Sequence, residues 1–151
     1  MRIGIADTTF ARYDMGALAE ETIADNSEHS VRRYTVPGIK DLPVAAKRLI
    51  DESRCDIVVA LGMPGPKPID KQCAHEASAG IIQVQLMTNI HVLEVFVHED
   101  EAEDDGELVS IVKDRTVKHA LNAIALLKGG RGLRAKAGSG ARQGKPDVMQ
   151  L

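Results

Sequence analysis

Short apolar runs alternate with segments of helical spacing along this chain, and that alternation restricts the fold more than any other feature. Ile3 to Ala6 reads as a strand. Met15 to Ala24 follows as a helix, with Met15, Leu18, Ala19, Thr22 and Ile23 on one stripe. Val31 to Val36 is a second strand, polar enough to read as an edge. From Leu42 the stripe Leu42, Ala45, Ala46, Leu49, Ile50 predicts a second helix. Asp56 to Leu61 carries Ile-Val-Val-Ala-Leu, a continuous apolar run suited to a central parallel strand. Asp70 to about Asn89 is a long helix carrying Ile81, Ile82, Val84 and Leu86. His91 to His98 is a fourth strand, and Glu107 to about Lys128 a last helix with Val117, Ala120, Leu121 and Ile124 on one face. The order predicts an α/β fold, a four-stranded parallel sheet with helices on both faces and right-handed crossovers.

The boundaries follow from composition. A chain of 151 residues, 44% hydrophobic and 27% charged, is long enough for one domain with a full core. From Gly129 the sequence shifts to Gly, Arg, Lys and Ala, which predicts a domain over 1–128 and a tail over 129–151. The tail's positive charges are candidates to meet the acidic stretch after the fourth strand. Trp is absent and there are two Phe and two Tyr, too few aromatics for a nucleic-acid stacking platform. The net charge of −3 also argues against a polyanion binder. Cys55 and Cys73 lie outside any CxxC pattern and read as buried thiols in a reducing cytosol. The opening Met-Arg-Ile-Gly-Ile-Ala-Asp enters a strand directly, and no apolar run is long enough to cross a membrane, so a cytoplasmic chain is expected.

In open α/β sheets ligands bind outside the carboxyl ends of the strands, and the candidate site residues lie there. Pro37 and Gly38 turn the chain after the second strand, just before a helix start. Gly38 permits close backbone approach, helix-start N–H groups hold polar groups, and Asp41 can accept from ligand hydroxyls. Equally, Asp41 reads as an N-cap and Pro43 as a first-turn proline. After the first strand, Phe10 in Asp-Thr-Thr-Phe-Ala-Arg is an aromatic able to stack on a flat heterocycle, or else a plug on the first helix. That loop has no glycine, and Walker and dinucleotide fingerprints are absent. After the third strand, Pro64, Pro66 and Pro68 make a stiff wall, either a pre-organised pocket side or a rigid connection. His98 and Glu99 end the fourth strand, and His75 with Glu76 lies in the long helix; either His is a proton-transfer candidate or a structural group. Position 79 is Ala, so the zinc-protease pattern fails and no metal ligand set is assigned. Glu99 to Glu107 holds seven acids, a solvated helix start or a weak Mg2+ site.

Taken together, Asp-Thr-Thr-Phe-Ala-Arg, Val-Pro-Gly-Ile-Lys-Asp-Leu-Pro-Val-Ala, Ala-Leu-Gly-Met-Pro-Gly, Cys-Ala-His-Glu-Ala-Ser and Glu-Val-Phe-Val-His-Glu-Asp-Glu-Ala resemble the archaeal-type riboflavin synthase family. The resemblance runs from about Ile3 to Leu127, with an echo in Gly140-Ala141-Arg142-Gln143-Gly144. It implies a flavodoxin-like three-layer sandwich related to lumazine synthase. It implies a dismutation in which two molecules of 6,7-dimethyl-8-ribityllumazine give riboflavin and 5-amino-6-ribitylamino-uracil. No organic cofactor is expected, because the substrate is its own electron sink; stimulation by Mg2+ is open.

Position by position, the resemblance implies that Phe10 stacks on a ring, with Thr9 beside it. Gly38 and Ile39 would offer backbone bonds and Asp41 would hold ribityl hydroxyls. Lys40 replaces the usual aromatic and contacts ligand, or acts as a base if burial lowers its pKa. Gly62, Met63, Pro64 and Gly65 would lie beside the ring, and Phe96, Val97, His98 and Glu99 would come from a neighbouring subunit. His75, His98 and Glu99 are the proton-transfer candidates. The expected assembly is a homopentamer with two lumazines at each intersubunit site. Lumazine synthases carry a His after the third strand and a basic, Gly-rich phosphate loop before the last helix; this chain has Lys67-Pro68-Ile69-Asp70 and the acidic Glu99 to Glu107. An anionic phosphate substrate is disfavoured by those acids. The alternatives are lumazine synthase, a flavin- or lumazine-binding protein without catalysis, and a shell subunit.

Overall fold

The computed structural model describes residues 1–141, 143–145 and 148. Strands β1 (Arg2–Thr8), β2 (Ser30–Val36), β3 (Ile57–Gly62) and β4 (Val92–Phe96) alternate with helices α1 (Met15–Asn26), α2 (Leu42–Asp51), α3 (Pro68–Thr88) and α4 (Asp105–Leu127). A one-turn helix, α5 (Arg131–Arg134), follows. The strands form one parallel sheet in the order β2-β1-β3-β4. Arg142, within the Gly140–Gly144 echo, and most of the final residues of the tail lie outside the described residues.

The sequence explains the strand positions. Every residue of β3 is buried, as the uninterrupted apolar run requires of a strand covered on both faces. The polar β2 is an edge, with most of its side chains in water. Alternation splits the core in two. Ile3, Ile5, Ile57, Val59 and Leu61 face α1 and α4, while Ala6, Val58 and Ala60 face α2 and α3.

Helix α2 buries Leu42, Ala45, Ala46, Leu49 and Ile50, the whole expected stripe. In α1 the stripe holds except at Leu18, which is half-buried, and Gly16 joins the buried face. In α3, Ile81 and Val84 are buried with Ala74 and Ala77, but Ile82 and Leu86 are 54% and 79% exposed. Ile82 and Leu86 are one turn apart on a second stripe, so they cannot share the face of Ile81. In α4 the buried face is Leu108, Val112, Thr116, Ala120, Ala123 and Ile124, while Leu121 is exposed. Spacing by four rotates that stripe toward Thr116, a polar residue that the apolar pattern passes over. Helix α4 begins two residues before Glu107 because Asp104 caps it, accepting from the Glu107 N–H at 2.8 Å.

Candidate active site

Three loops meet above the carboxyl ends of β1, β2 and β3. The loop after β1 is laced to the end of β2: the Thr9 N–H donates to Val36 O at 2.9 Å and Thr9 Oγ1 to Pro37 O at 3.3 Å. These bonds leave Phe10 projecting, 58% exposed.

The turn after β2 is a single 3-10 turn, Ile39–Asp41. The Gly38 N–H donates to Asp41 Oδ2 at 3.1 Å, and the Asp41 N–H donates back to Gly38 O at 3.1 Å. Asp41 therefore closes this turn and makes no side-chain cap on α2, contrary to the N-cap reading. Pro43 does sit in the first turn of α2, where its missing N–H costs nothing.

The third loop depends on two bare glycines. A Cβ on Gly62 would lie 3.0 Å from Ile39 Cδ1 and 3.1 Å from Phe96 Cδ1, so Gly62 lets these side chains close over the end of β3. A Cβ on Gly65 would lie 2.5 Å from Asp70 Oδ2. That carboxylate accepts from the Lys67 N–H at 3.1 Å and fixes the start of α3.

Between the loops is a cleft of about 250 Å³. Phe10, the Gly38–Asp41 turn, Pro64 and Gly65 line it, joined by Asp70 and Cys73 from α3. Seven residues singled out from sequence thus share one cavity. The others lie around it. Thr9 is tied to Pro37 as described, and Gly62 lies beneath Ile39. Met63 and Val97 are buried, 2% and 0% exposed, in the core under α4, and Phe96 packs on the α2–α3 side. The Glu99 N–H donates to Pro64 O at 3.1 Å, which ties the end of β4 to the proline wall. His98 is half-buried; its ring Nδ1 is buried without a hydrogen-bond partner, while its backbone N–H donates to Glu101 Oε1 at 3.0 Å. His75 is exposed on α3.

Charge settles two expectations. Lys40 Nζ lies 2.7 Å from Glu76 Oε2. That hydrogen-bonded pair raises the Lys40 pKa and lowers that of Glu76. Lys40 is exposed and stays protonated, so it is not the burial-activated base entertained above. The acids after β4 pair with Arg12, Lys71 and Arg115. None of the ion pairs among the described residues joins them to the tail.

Cys55 is buried and its pKa is pushed up to about 11 by burial, which makes it an inert thiol. Cys73 is only partly buried and lines the cleft, in contrast to the buried-thiol expectation. Asp70, Cys73 and Glu76 were missed as site residues. Their spacing of three along α3 is the available signal, since it places them near one another on one helix face.

Comparison with known proteins identifies the family. The 6,7-dimethyl-8-ribityllumazine synthase family profile matches residues 1–129. A riboflavin synthase of Methanothermobacter marburgensis is 56% identical over 100% of this chain and 99% of its own length. A riboflavin synthase of Archaeoglobus fulgidus is 49% identical over 98% of this chain and 97% of its own. A 6,7-dimethyl-8-ribityllumazine synthase of Prochlorococcus marinus is 32% identical over 60% of this chain and 59% of its own. The chain belongs to the 6,7-dimethyl-8-ribityllumazine synthase family, and within it stands with the archaeal relatives named riboflavin synthase.

Proposed function

We propose that the protein is a riboflavin synthase, a transferase that dismutates two molecules of 6,7-dimethyl-8-ribityllumazine into riboflavin and 5-amino-6-(D-ribitylamino)uracil. The observation that carries this reading is the end-to-end match to relatives of that name, where the lumazine synthase match spans 60% of the chain. The start of α4 adds a physical reason. Asp104 accepts from the Glu107 N–H at 2.8 Å and Glu107 from the Glu103 N–H at 2.7 Å, so the helix start is occupied by its own acids and does not suit a sugar phosphate.

In this reading Phe10 stacks on one pteridine ring. Asp41 holds the turn through Oδ2 and accepts from ribityl hydroxyls through its other oxygen; Ile39 supplies a backbone contact. The 7-methyl group of one lumazine loses a proton, and the carbanion adds to the second molecule. A four-carbon unit is then transferred. The protein's main contribution is to hold two flat rings in reacting geometry. His98, Glu99 and His75 are the proton-transfer candidates. No organic cofactor takes part, and Mg2+ is at most a stimulant, so chelation leaves turnover running.

A cleft of about 250 Å³ is smaller than the ~300–1,000 Å³ of typical single-ligand pockets. Two lumazines therefore call for a second subunit, whose β4 end would complete the site through Phe96, His98 and Glu99, while the fully buried Val97 stays in the core. The exposed Ile82, Leu86 and Met87 of α3 supply apolar surface for such an assembly, proposed as a homopentamer. The domain over 1–128 would carry the reaction and the tail over 129–151 would be accessory. Among the described residues no helix is long and apolar enough to cross a membrane, and a cytoplasmic location is proposed. Incubating the protein with the lumazine alone tests the activity: riboflavin above a protein-free control supports it, and none refutes it. Sedimentation mass tests the assembly.

A further inference from the structure

An ion pair ties a lining residue of the cleft to helix α3. Lys40 lies in the turn after β2 and lines the cavity with Phe10 and Cys73. Its ammonium is held 2.7 Å from Glu76 on α3. Glu76 is itself tethered, accepting from Gln72 Nε2 at 3.3 Å. The two elements are fixed relative to each other, because α2 and α3 approach so closely that a Cβ on Gly80 would lie 2.7 Å from Pro43 Cγ. Lys40 is 58% exposed, and without Glu76 its flexible stem would carry the charge into solvent. The cleft's other titratable groups are Asp41, Asp70 and Cys73. Both carboxylates are engaged by backbone N–H groups, so Lys40 presents the cleft's cation.

We infer that Glu76 is a positioning residue that holds the Lys40 ammonium over the bound lumazine, where the ammonium stabilises the anion left when the 7-methyl group gives up a proton. This rests on the riboflavin synthase reading. In that step the methyl C–H bond breaks and the proton passes to one of the proton-transfer candidates, His98, Glu99 or His75. The electron pair spreads from the exocyclic carbon into the ring and onto its carbonyl oxygens, with no net oxidation. A fixed cation lowers the barrier where negative charge develops, and more so once a second subunit excludes water. The pairing that keeps Lys40 protonated suits this role and not proton abstraction.

The test is a pH titration of the lumazine anion by absorbance, with excess enzyme and rapid mixing so that it is read before turnover. Wild type is compared with Lys40→Met, Lys40→Arg, Glu76→Ala and Glu76→Gln, each checked for folding by its melting curve, with kcat and KM alongside. Lys40→Met should raise the pKa of the bound methyl by about one unit, a tenfold loss of anion at fixed pH, and lower kcat in parallel. Glu76→Ala should move both in the same direction. Glu76→Gln, whose amide oxygen still accepts from the ammonium, and Lys40→Arg should restore much of the loss. Unchanged anion and kcat in Lys40→Met and Glu76→Ala, or a change confined to KM, overturns the inference while the function stands. Wild type that makes no riboflavin overturns the function and this inference with it.

Discussion

Arg33 reaches from the edge strand β2 to the end of β1 and places Nη2 2.6 Å from Oδ2 of Asp7, which is 4% exposed. Thr35 Oγ1 donates to the other carboxylate oxygen at 2.7 Å, and the same guanidinium meets Asp14 at 2.6 Å and Glu20 at 3.3 Å. The hydrogen bond and charge of Asp7, followed by those of Asp14, raise the Arg33 pKa, so the guanidinium stays charged. Gly16 makes room for the cluster: a Cβ there would lie 2.4 Å from Asp7 Oδ2. The cluster clamps the base of the loop that presents Phe10.

Arg33→Met should therefore destabilise the fold. Removing one partner of a buried pair costs about 3–5 kcal/mol, and water reaching the partly exposed Arg33 position reduces this to about 2–3 kcal/mol. Urea denaturation measures it. Asp7→Asn combined with Arg33→Met should recover part of the loss, because no buried charge is then left unpaired. A change within about 0.5 kcal/mol for Arg33→Met would show that Asp7 does not need its partner.

Glu94→Gln should stabilise the protein at neutral pH. Burial is the main cause that raises the Glu94 pKa above its ordinary 4.5, against the Ser78 hydroxyl that donates to it at 2.8 Å. The folded chain thus binds this proton more tightly than the unfolded chain. Ionised Glu94 costs stability as pH rises above about 4.5, and the cost is complete above the folded value. Gln keeps an acceptor for Ser78 without the charge. Melting temperature should rise by about 1–2 °C at pH 7.5 and be unchanged at pH 4. A gain equal at both pH values would assign the effect to packing.

The β3 run and the α2 stripe depend on local spacing alone, and both match in full. The turn at Pro37 and Gly38 was visible for the same reason, since its signals are adjacent in sequence. Apolar spacing does not define the faces of α3 and α4, because Ile82, Leu86 and Leu121 are apolar yet exposed, and Thr116 is polar yet buried. The Arg33–Asp7 and Lys40–Glu76 pairs were not legible. Each joins charges from separate elements, and nothing local marks one charge as the partner of another.

Phe10→Ala should weaken lumazine binding without affecting stability. The side chain is 58% exposed and lines the cleft, so it contributes little to the core. Lost stacking of about 0.5–1.5 kcal/mol corresponds to a two- to tenfold rise in Kd. Fluorescence titration of the lumazine with parallel melting curves measures both. An unchanged Kd would remove Phe10 from the site.

Asp41 has a structural and a binding part, and two substitutions separate them. Asp41→Asn retains an oxygen to accept the Gly38 N–H and should keep the turn. It loses the charge-assisted part of ribityl binding, worth about 1 kcal/mol or a fivefold rise in Kd. Asp41→Ala loses the turn contact as well and should bind more weakly still. Equal Kd values for wild type and both variants would refute the ribityl assignment.

The central claim is that this cleft converts lumazine, and the most direct measurement is a pair of anaerobic incubations followed by chromatography. One contains 6,7-dimethyl-8-ribityllumazine alone; the other contains the ribitylamino pyrimidine and the phosphorylated four-carbon sugar. The account predicts riboflavin and the pyrimidine in equal amounts from the first and no lumazine from the second. Lumazine formed in the second, with no riboflavin in the first, would contradict it.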